Sequence, residues 1–381
     1  MFKKILAAIL ALTFVFAFAA CGKESKEFVN PPAKKVAILV APKSEYPEEY
    51  LAAQNLAKQY PDKIIIKEFS DSRELYAGVP DEISISVELA GNADIGAIIY
   101  PRATGNIITA VEEAKARNNA LHFICTEPEC SVDALSPLVD SVVTVDWEKA
   151  ANEIIDRAKE QGAEYFLMFS INRHIGSNSL FAAEREYFEI ACKAKGIKFV
   201  YDNAFDTHDA GGIEKAKLYV KESVARQILN NKIPKTNVAL FSTDSAVQTA
   251  LIEIANKKNM IYVSPAVPSA YSGIGEAYPV DTEQSFDEYV NALKAAVAAD
   301  SEQNAKLSVY NYPLSVEMTN CAVYTAFDIL NGRTTPENLT ERTKMRFADN
   351  ATSKELTVTV HEDEALSNVF RVYCPGFENI A

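Results

Sequence analysis

The sequence predicts an α/β protein made of two Rossmann-like lobes, each built on a parallel sheet. Short apolar runs rich in β-branched residues alternate along the chain with segments of helical periodicity. Continuous apolar strands are typical of parallel sheets that helices cover on both faces. The runs outnumber the strands of one ordinary sheet, so we expect two sheets.

The predicted strands alternate with helices over most of the chain and follow a less regular order in its last quarter. Helical spacing i, i+3, i+4, i+7 is clear in Ala151, Ile154, Ile155 and Ala158, which indicates one buried helix face. Further helices are predicted near Ser285–Ala299 and Val316–Asn331. The predicted strands are Val36–Ala41, Lys63–Phe69, Asp94–Tyr100, Ala120–Cys125, Val142–Val145, Tyr165–Phe169, Ile197–Tyr201, Val238–Phe241, Met260–Val263, Leu307–Tyr310, Leu356–Val360 and Val369–Tyr373.

The domain boundaries follow from this order. Residues 1–20 are predicted to be a signal peptide, and residues 21–35 a lipidated cysteine with a polar tether that contains Pro31-Pro32. Residues 36–145 form the N-terminal lobe, and residues 146–268 the C-terminal lobe. We expect residues 269–381 to cross over and return, completing mainly the N-terminal lobe.

The first twenty residues predict export. Lys3 and Lys4 precede the uncharged run Ile5–Ala20, a pattern typical of a secretory signal. That run is shorter than the roughly 20 residues that span a bilayer as a helix. Phe18-Ala19-Ala20-Cys21 resembles a lipobox, with Phe18 where an aliphatic residue is usual. We therefore expect Cys21 to carry lipid and to hold the protein at the outer face of the cytoplasmic membrane; an ordinary cleaved signal with a chance cysteine is the alternative.

The net charge and the positions of the cysteines and histidines indicate which kinds of binding partner to expect. The net charge of −14 repels phosphate backbones, so nucleic acid is not expected to bind. The cysteines and the four histidines show no spacing of a zinc site, and neither a metal nor a cofactor is predicted. Cys125 and Cys130 either pair in an oxidising space or serve as small buried hydrophobic residues.

Four stretches together resemble the type I periplasmic binding proteins, a superfamily that includes ribose-binding proteins and the effector cores of lac-repressor-type regulators. More closely, the chain resembles an uncharacterised group of clostridial-type lipoproteins with this fold. The stretches are VDWEKAANEIIDRAKEQGAEYFLMF (145–169), SLFAAEREYFEIACKAKGIKFVYDN (179–203), NVALFSTDSAVQTALIEIANKK (237–258) and VEMTNCAVYTAFDILNGR (316–333).

The resemblance implies a clamshell that closes on a small polar molecule, such as a sugar or nucleoside, for a membrane permease or sensor. It implies no enzymatic activity. Two alternatives stay open, a hydrolase acting in the cleft and a sensory or surface module that binds without transport. A G-x-S-x-G elbow is absent from the sequence, and the export signal stands where a DNA-reading helix would be needed for a transcription regulator.

Candidate ligand-binding residues follow the strands, because ligands of open parallel sheets bind beyond the carboxyl ends of the strands. Asp244 matches the superfamily's ligand-contacting aspartate, although it can instead cap the helix that follows. Arg185 matches the superfamily's helix arginine, or is simply solvated. The candidates are Lys43, Ser44, Tyr46, Tyr100, Arg102, Thr126, Asn172, Arg173, His174, Asn203, Phe205 and Asp244.

Two pairs of neighbouring glutamates, Glu48-Glu49 and Glu112-Glu113, lie within helical patterns. Adjacent carboxylates on an amphipathic helix are typical of a solvated face. Both pairs are therefore interpreted as solvated, not as paired catalytic groups.

Overall fold

The computed structural model describes residues 29–43, 46–69, 81–175, 180–207, 209–265, 269–350 and 355–381. The predicted signal peptide and Cys21 lie outside these residues. Within the described part of the chain, no helix is long and apolar enough to cross a membrane.

Two mostly parallel sheets form the two lobes, and the predicted α/β fold is confirmed. The first sheet has the order β11-β12-β5-β4-β3-β1-β2 and the second the order β13-β10-β9-β8-β6-β7. In each sheet only the first strand of this order runs antiparallel to its neighbour. The strands are β1 (Lys35–Val40), β2 (Ile64–Glu68), β3 (Ile95–Tyr100), β4 (His122–Thr126), β5 (Ser141–Val145), β6 (Tyr165–Ile171), β7 (Lys198–Ala204), β8 (Val238–Ser242), β9 (Ile261–Tyr262), β10 (Lys306–Tyr310), β11 (Thr357–Val360), β12 (Val369–Tyr373) and β13 (Phe377–Asn379).

Helices cover both faces of each sheet. They are α1 (Pro47–Gln59), α2 (Asp81–Ala90), α3 (Ile107–Arg117), α4 (Val132–Leu135), α5 (Trp147–Glu160), α6 (Asn172–Ile175), α7 (Leu180–Lys195), α8 (Gly212–Leu229), α9 (Gln248–Lys258), α10 (Ile274–Ala277), α11 (Phe286–Ala299), α12 (Leu314–Leu330) and α13 (Leu339–Asn350).

Both faces of the first sheet are buried, as strand β1 shows. Val36 and Ile38 join one hydrophobic core, whereas Ala37 and Leu39 join the core on the opposite face. Successive side chains of a strand point to opposite faces, so an uninterrupted apolar run is the expected sequence of such a strand. The second sheet likewise lies between two cores.

The chain passes between the lobes more than once. It enters the second lobe at α5, whose first turn is capped by Asp146 Oδ1, which accepts a hydrogen bond from the Lys149 amide at 3.3 Å. It returns after β10 and crosses again between β12 and β13. At the last crossing Gly376 has φ 117°, and a Cβ there would overlap Asn311. Only glycine adopts this backbone without strain, so the crossing requires it.

Residues 269–381 are divided between the lobes. Strands β10 and β13 belong to the second sheet, and α11 packs on its core through Tyr289 and Leu293. Strands β11 and β12 complete the first sheet, and α12 packs on it through Phe327. Strand β13 and helix α13 have no counterpart in the sequence prediction.

Candidate functional site

The chain brings polar residues together where strands β1, β3 and β4 end at one edge of the first sheet. The residues after β1 begin helix α1, Arg102 follows β3, and Glu127 follows β4. The carboxyl ends of parallel strands share one edge of a sheet, which is where open α/β proteins bind ligands. This edge faces residues of the second lobe.

Arg102 is the centre of this first-lobe half. It is 5% exposed, and its Nη2 donates to Glu49 Oε1 at 2.7 Å and to Glu127 Oε2 at 3.0 Å. Its guanidinium carbon lies 4.4 Å from the centre of the Tyr46 ring, a cation–π contact. Tyr46 in turn donates its hydroxyl to Glu129 Oε1 at 2.8 Å. Two predicted site residues, Tyr46 and Arg102, therefore lie together.

Glu127 adopts a backbone conformation that is unusual for its residue type. Its φ is 43°, in the left-handed region, while its amide donates to the Val143 carbonyl at 2.8 Å. Its Oε2 also accepts from Ser315 Oγ at 3.0 Å, at the start of α12. Non-glycine residues held in this region cost about 1–3 kcal/mol and are concentrated at functional sites. From this conformation the Glu127 carboxylate accepts a hydrogen bond from Arg102 at 3.0 Å.

Glu48 links the two lobes. It is 2% exposed, and its Oε2 accepts a hydrogen bond from Ser272 Oγ of the second lobe at 3.4 Å. Its other oxygen, Oε1, has no hydrogen-bond partner, and the same is true of Glu49 Oε2. The position of Ser272 is fixed by the next residue, Gly273, which has φ 68° and where a Cβ would overlap Gln248.

Burial sets the proton affinity of these carboxyls. Burial, and then the charges of Glu49 and Glu127, raise the pKa of Glu48 well above its usual value. Burial also raises the pKa of Glu127, to about 8, against the opposing effect of Arg102. Glu49 and Glu127 pair with the one guanidinium, whereas Glu48 contacts Ser272, so the cluster favours protonated carboxyl groups.

The interpretation of Glu48 and Glu49 as a solvated pair is wrong, whereas Glu112 and Glu113 are exposed as expected. Pro47 begins helix α1, so both glutamates lie in its first turn, next to the end of β1. The positive end of the helix dipole favours carboxylates there. The signal in the sequence for a buried pair was its position, shortly after a strand end and directly after the proline that begins a helix.

The second-lobe half is centred on Thr243, at the end of β8. Its Oγ1 lies 2.8 Å from Ser170 Oγ and 2.9 Å from His174 Nδ1. His174, a predicted site residue, is buried. Asp244 is buried next to it, and its Oδ1 accepts from the Ala246 amide at 2.9 Å. The capping role that the sequence left open for Asp244 is therefore present in the structure.

The predicted residues after β6 and β7 form a separate group. Asn203 Nδ2 donates to Asn172 Oδ1, and Asn203 Oδ1 accepts from Tyr201 at 2.8 Å. The Tyr201 ring lies 4.1 Å from the guanidinium of Arg185. Phe205 is 52% exposed and meets the Tyr219 ring edge-on. These side chains are more accessible than the Arg102 cluster.

Three further predicted residues, Tyr100, Thr126 and Lys43, do not join either half. Tyr100 is fully buried in the first-lobe core, where its hydroxyl donates to Ser86 Oγ at 3.0 Å. Thr126 is buried and donates to the Pro101 carbonyl. Lys43 is exposed. Ser44 and the side chain of Arg173 lie outside what the structure describes.

Metal and disulfide chemistry are not evident in the described residues. None of the described cysteines, Cys125 and Cys130 included, is in a disulfide, and all five are buried. No group of three or more histidine, cysteine or acidic side chains in the described ranges is arranged to hold a metal ion.

Comparison with known proteins places the chain in a family. A family described as "Protein of unknown function (DUF3798)" matches residues 34–308. The chain belongs to this family. No match was found among curated proteins.

Solved structures share the fold at low sequence identity. A Clostridium difficile 630 protein described as a transcriptional regulator has a TM-score of 0.67 and 19% identity, covering 92% of this chain and 100% of its own. An ABC-transporter solute-binding protein from Clostridium phytofermentas, with bound L-rhamnose, has a TM-score of 0.54 and 12% identity over 91% of this chain and 96% of its own. An ABC-transporter solute-binding protein from Burkholderia multivorans has a TM-score of 0.50 and 17% identity, covering 80% of this chain and 95% of its own. The resemblance to type I periplasmic binding proteins is confirmed for the fold.

Proposed function

We propose that this family member is an exported, lipid-anchored solute-binding protein, which captures a small polar metabolite between its lobes for a transporter or a sensor. The observation that carries the proposal is the contact between buried polar side chains of the two lobes. Glu48 of the first lobe contacts Ser272 of the second, and both are buried. A ligand that enters there is enclosed from both sides.

The chemistry of the two halves suits a polar guest. Carboxyl groups and a guanidinium cluster in the first lobe, and the hydroxyl and imidazole groups of Thr243 and His174 cluster in the second. Small-molecule sites are concave, with a few polar groups that fix orientation. The solute-binding proteins of Clostridium phytofermentas and Burkholderia multivorans support the same role through their fold.

The multiple crossings between lobes support a closing motion. Hinges are a few residues at the ends of elements that absorb changes in backbone angle when domains close on a ligand. Asp146 and Gly376 lie at such crossings. Binding would favour the closed arrangement and present it to a membrane partner.

A thermal-shift screen tests the proposal. The full chain, purified in mild detergent, is screened against sugars, nucleosides, amino acids and organic acids. A ligand at 100 times its dissociation constant should stabilise the fold by about 2.7 kcal/mol. Stabilisation by none of these classes contradicts solute binding, and turnover of a hit on prolonged incubation replaces binding with a cleft enzyme. Palmitate labelling that is lost on Cys21→Ser tests the anchor.

A further inference from the structure

The Arg102 cluster buries three carboxyl groups around a single cation. Glu48, Glu49 and Glu127 are each at most 5% exposed, and Arg102 pairs with two of them, Glu49 and Glu127. Burying a carboxylate without a paired cation is costly. The free-energy cost of removing the carboxylate from water is offset only when its oxygens accept hydrogen bonds. One cation among three carboxylates does not meet that requirement.

Arg102 is committed to two of the three carboxylates. Its Nη2 donates to Glu49 Oε1 and Glu127 Oε2, and the second of these oxygens also accepts from Ser315. Glu48 is left with the long contact to Ser272 at 3.4 Å. Glu48 is therefore the carboxyl group whose described contact is not with a cation, and its raised pKa favours the protonated form until a cation lies beside it.

Two carboxylate oxygens in the cluster accept no hydrogen bond, although both are buried. They are Glu48 Oε1 and Glu49 Oε2, on adjacent residues of the first turn of α1. The Glu48 side chain points across the cleft, since its other oxygen reaches the second lobe. Buried acceptors without donors are rare in proteins, and an absent ligand is one explanation for them.

The second-lobe wall next to Glu48 is aromatic. Ser272 directly follows Tyr271, whose ring stacks on that of Tyr289 at 4.2 Å between centroids. Burial, and then the Glu48 carboxyl, raise the pKa of both tyrosine hydroxyls. Carboxylates beside aromatic rings form a site that favours cations.

Resting on the solute-binding role proposed above, we infer that the solute carries a protonated amine, which docks on Glu48 Oε1 and Glu49 Oε2. An ammonium group has three N–H donors and one positive charge, so it supplies both donors and favours the ionised form of Glu48. A hydroxyl donates one hydrogen bond and brings no charge that would favour the ionised carboxylate. A metal ion is a poorer fit, because the described residues include no group arranged to coordinate one.

Matched pairs of probes test the inference, each pair differing by one amino group in place of a hydroxyl. Glucosamine with glucose, galactosamine with galactose, and putrescine with 1,4-butanediol are titrated calorimetrically into the full chain at neutral pH. The amine of at least one pair should bind about 30-fold more tightly than its neutral partner, since truncating one member of a buried charge pair costs 2 kcal/mol or more.

Three variants locate the effect. Glu48→Gln keeps the shape but removes the charge, and should bring each amine to within a few-fold of its neutral partner. Glu48→Asp keeps the charge, and should retain the preference at lower affinity. Glu112→Gln, on an exposed helix face, is the matched control and should behave as the wild type.

The outcomes separate this inference from the proposed function. Neutral sugars that bind as tightly as their amines, or an amine preference that survives Glu48→Gln, overturn the inference and leave solute binding intact. If no amine binds although a neutral probe does, the inference is likewise overturned. If no amine binds although the thermal-shift screen finds a neutral solute, the inference alone fails; if that screen and these probes all find nothing, both proposals fail.

Discussion

Ser272 Oγ donates a hydrogen bond to Glu48 Oε2 at 3.4 Å, joining residues 224 positions apart in the sequence. This contact brings the first turn of α1 against the loop before α10 and excludes water from both side chains. The carboxyl groups around Glu48 therefore titrate in a buried environment. Their effect on stability is measurable without a ligand.

Stability is expected to fall as the pH rises from about 4.5 to about 8. The pKa of Glu127 is raised by burial from 4.5 to about 8, so in this window the folded chain binds more protons than the unfolded chain. Its contribution is complete below the unfolded pKa and is lost as the pH rises, at up to about 1.4 kcal/mol per pH unit. Glu48, whose pKa is raised as well, acts in the same direction.

Urea unfolding of the wild type and Glu127→Gln across this pH range checks the effect. The variant cannot titrate at this position, so its free energy of unfolding should rise relative to that of the wild type as the pH increases. Glu112→Gln, at an exposed site, should run parallel to the wild type. A constant difference between Glu127→Gln and the wild type would disprove the assignment.

Replacing Arg102 by methionine should destabilise the first lobe strongly. The substitution keeps the apolar stem but leaves the Glu49 and Glu127 carboxylates without their shared cation. Removing one partner of a buried ion pair costs about 3–5 kcal/mol. The loss should be larger at pH 8 than at pH 5, because protonated carboxyls need no cation. Chemical unfolding at both pH values measures it, with exposed Arg117→Met as the control; an equal loss at both would argue against the charge explanation.

A second buried ion network, between α12 and α13, should stabilise the first lobe at neutral pH. Asp328 accepts from Arg346 Nε and Nη2, both at 2.6 Å, and from Arg342 Nε at 2.6 Å. Burial alone would raise the pKa of Asp328, but hydrogen bonds from the two arginines outweigh it and lower the pKa. The stabilisation is therefore present above the unfolded pKa of about 3.9 and is lost as the pH falls.

Asp328→Asn should cost about 3–5 kcal/mol at pH 7, as expected for a buried network that loses one partner. Denaturant unfolding at pH 7 and at pH 3 measures the cost, which should shrink at the lower pH. Glu341→Gln breaks an exposed pair with Lys344 and is the control that should leave stability unchanged. A similar cost for both variants would contradict the proposed network.

The strands were predictable because burial on both faces requires an uninterrupted apolar run. Val36 to Val40 shows this pattern, and its strand ends one residue from each predicted boundary. Strand β13 was missed because three residues at a sheet edge, Phe377–Asn379, have too short a pattern to recognise. Pairing with β10 creates this strand, and that pairing is tertiary.

The site was predictable in part, because strand ends indicate which residues reach the cleft but not which way they point. Arg102 was found at the end of β3, whereas Tyr100 turned into the core against Phe123. Glu48 and Glu49 were misread because their burial depends on Arg102 and Ser272, which are distant in the sequence. No local pattern contains that information.

The described cysteines should be unreactive in the native protein. Burial raises the pKa of the Cys130 thiol to about 11 and that of Cys192 to about 12. At pH 8 about one thousandth or less of each is thiolate, the form that reacts. In a Cys21→Ser variant, Ellman's reagent should label these thiols slowly until denaturant is added, and then completely. Fast labelling of the native chain, or a deficit after unfolding that indicates a Cys125–Cys130 disulfide, would contradict the structure.

Asp244 combines a structural role with the predicted ligand contact, and two variants can separate them. Its Oδ2 accepts from Thr207 Oγ1 at 2.7 Å, while Oδ1 caps the turn that begins at Ser245. Asp244→Ala removes both bonds and should cost about 2–3 kcal/mol in unfolding experiments, the sum of a cap and a charged hydrogen bond. Thr207→Val removes only the hydrogen bond between Thr207 and Asp244 and should cost less, because Asp244 still caps the turn.

Binding separates the two roles of Asp244. If Asp244 touches the solute, Asp244→Asn should weaken the binding of a thermal-shift hit far more than Thr207→Val does; equal affinities would assign Asp244 to the fold alone.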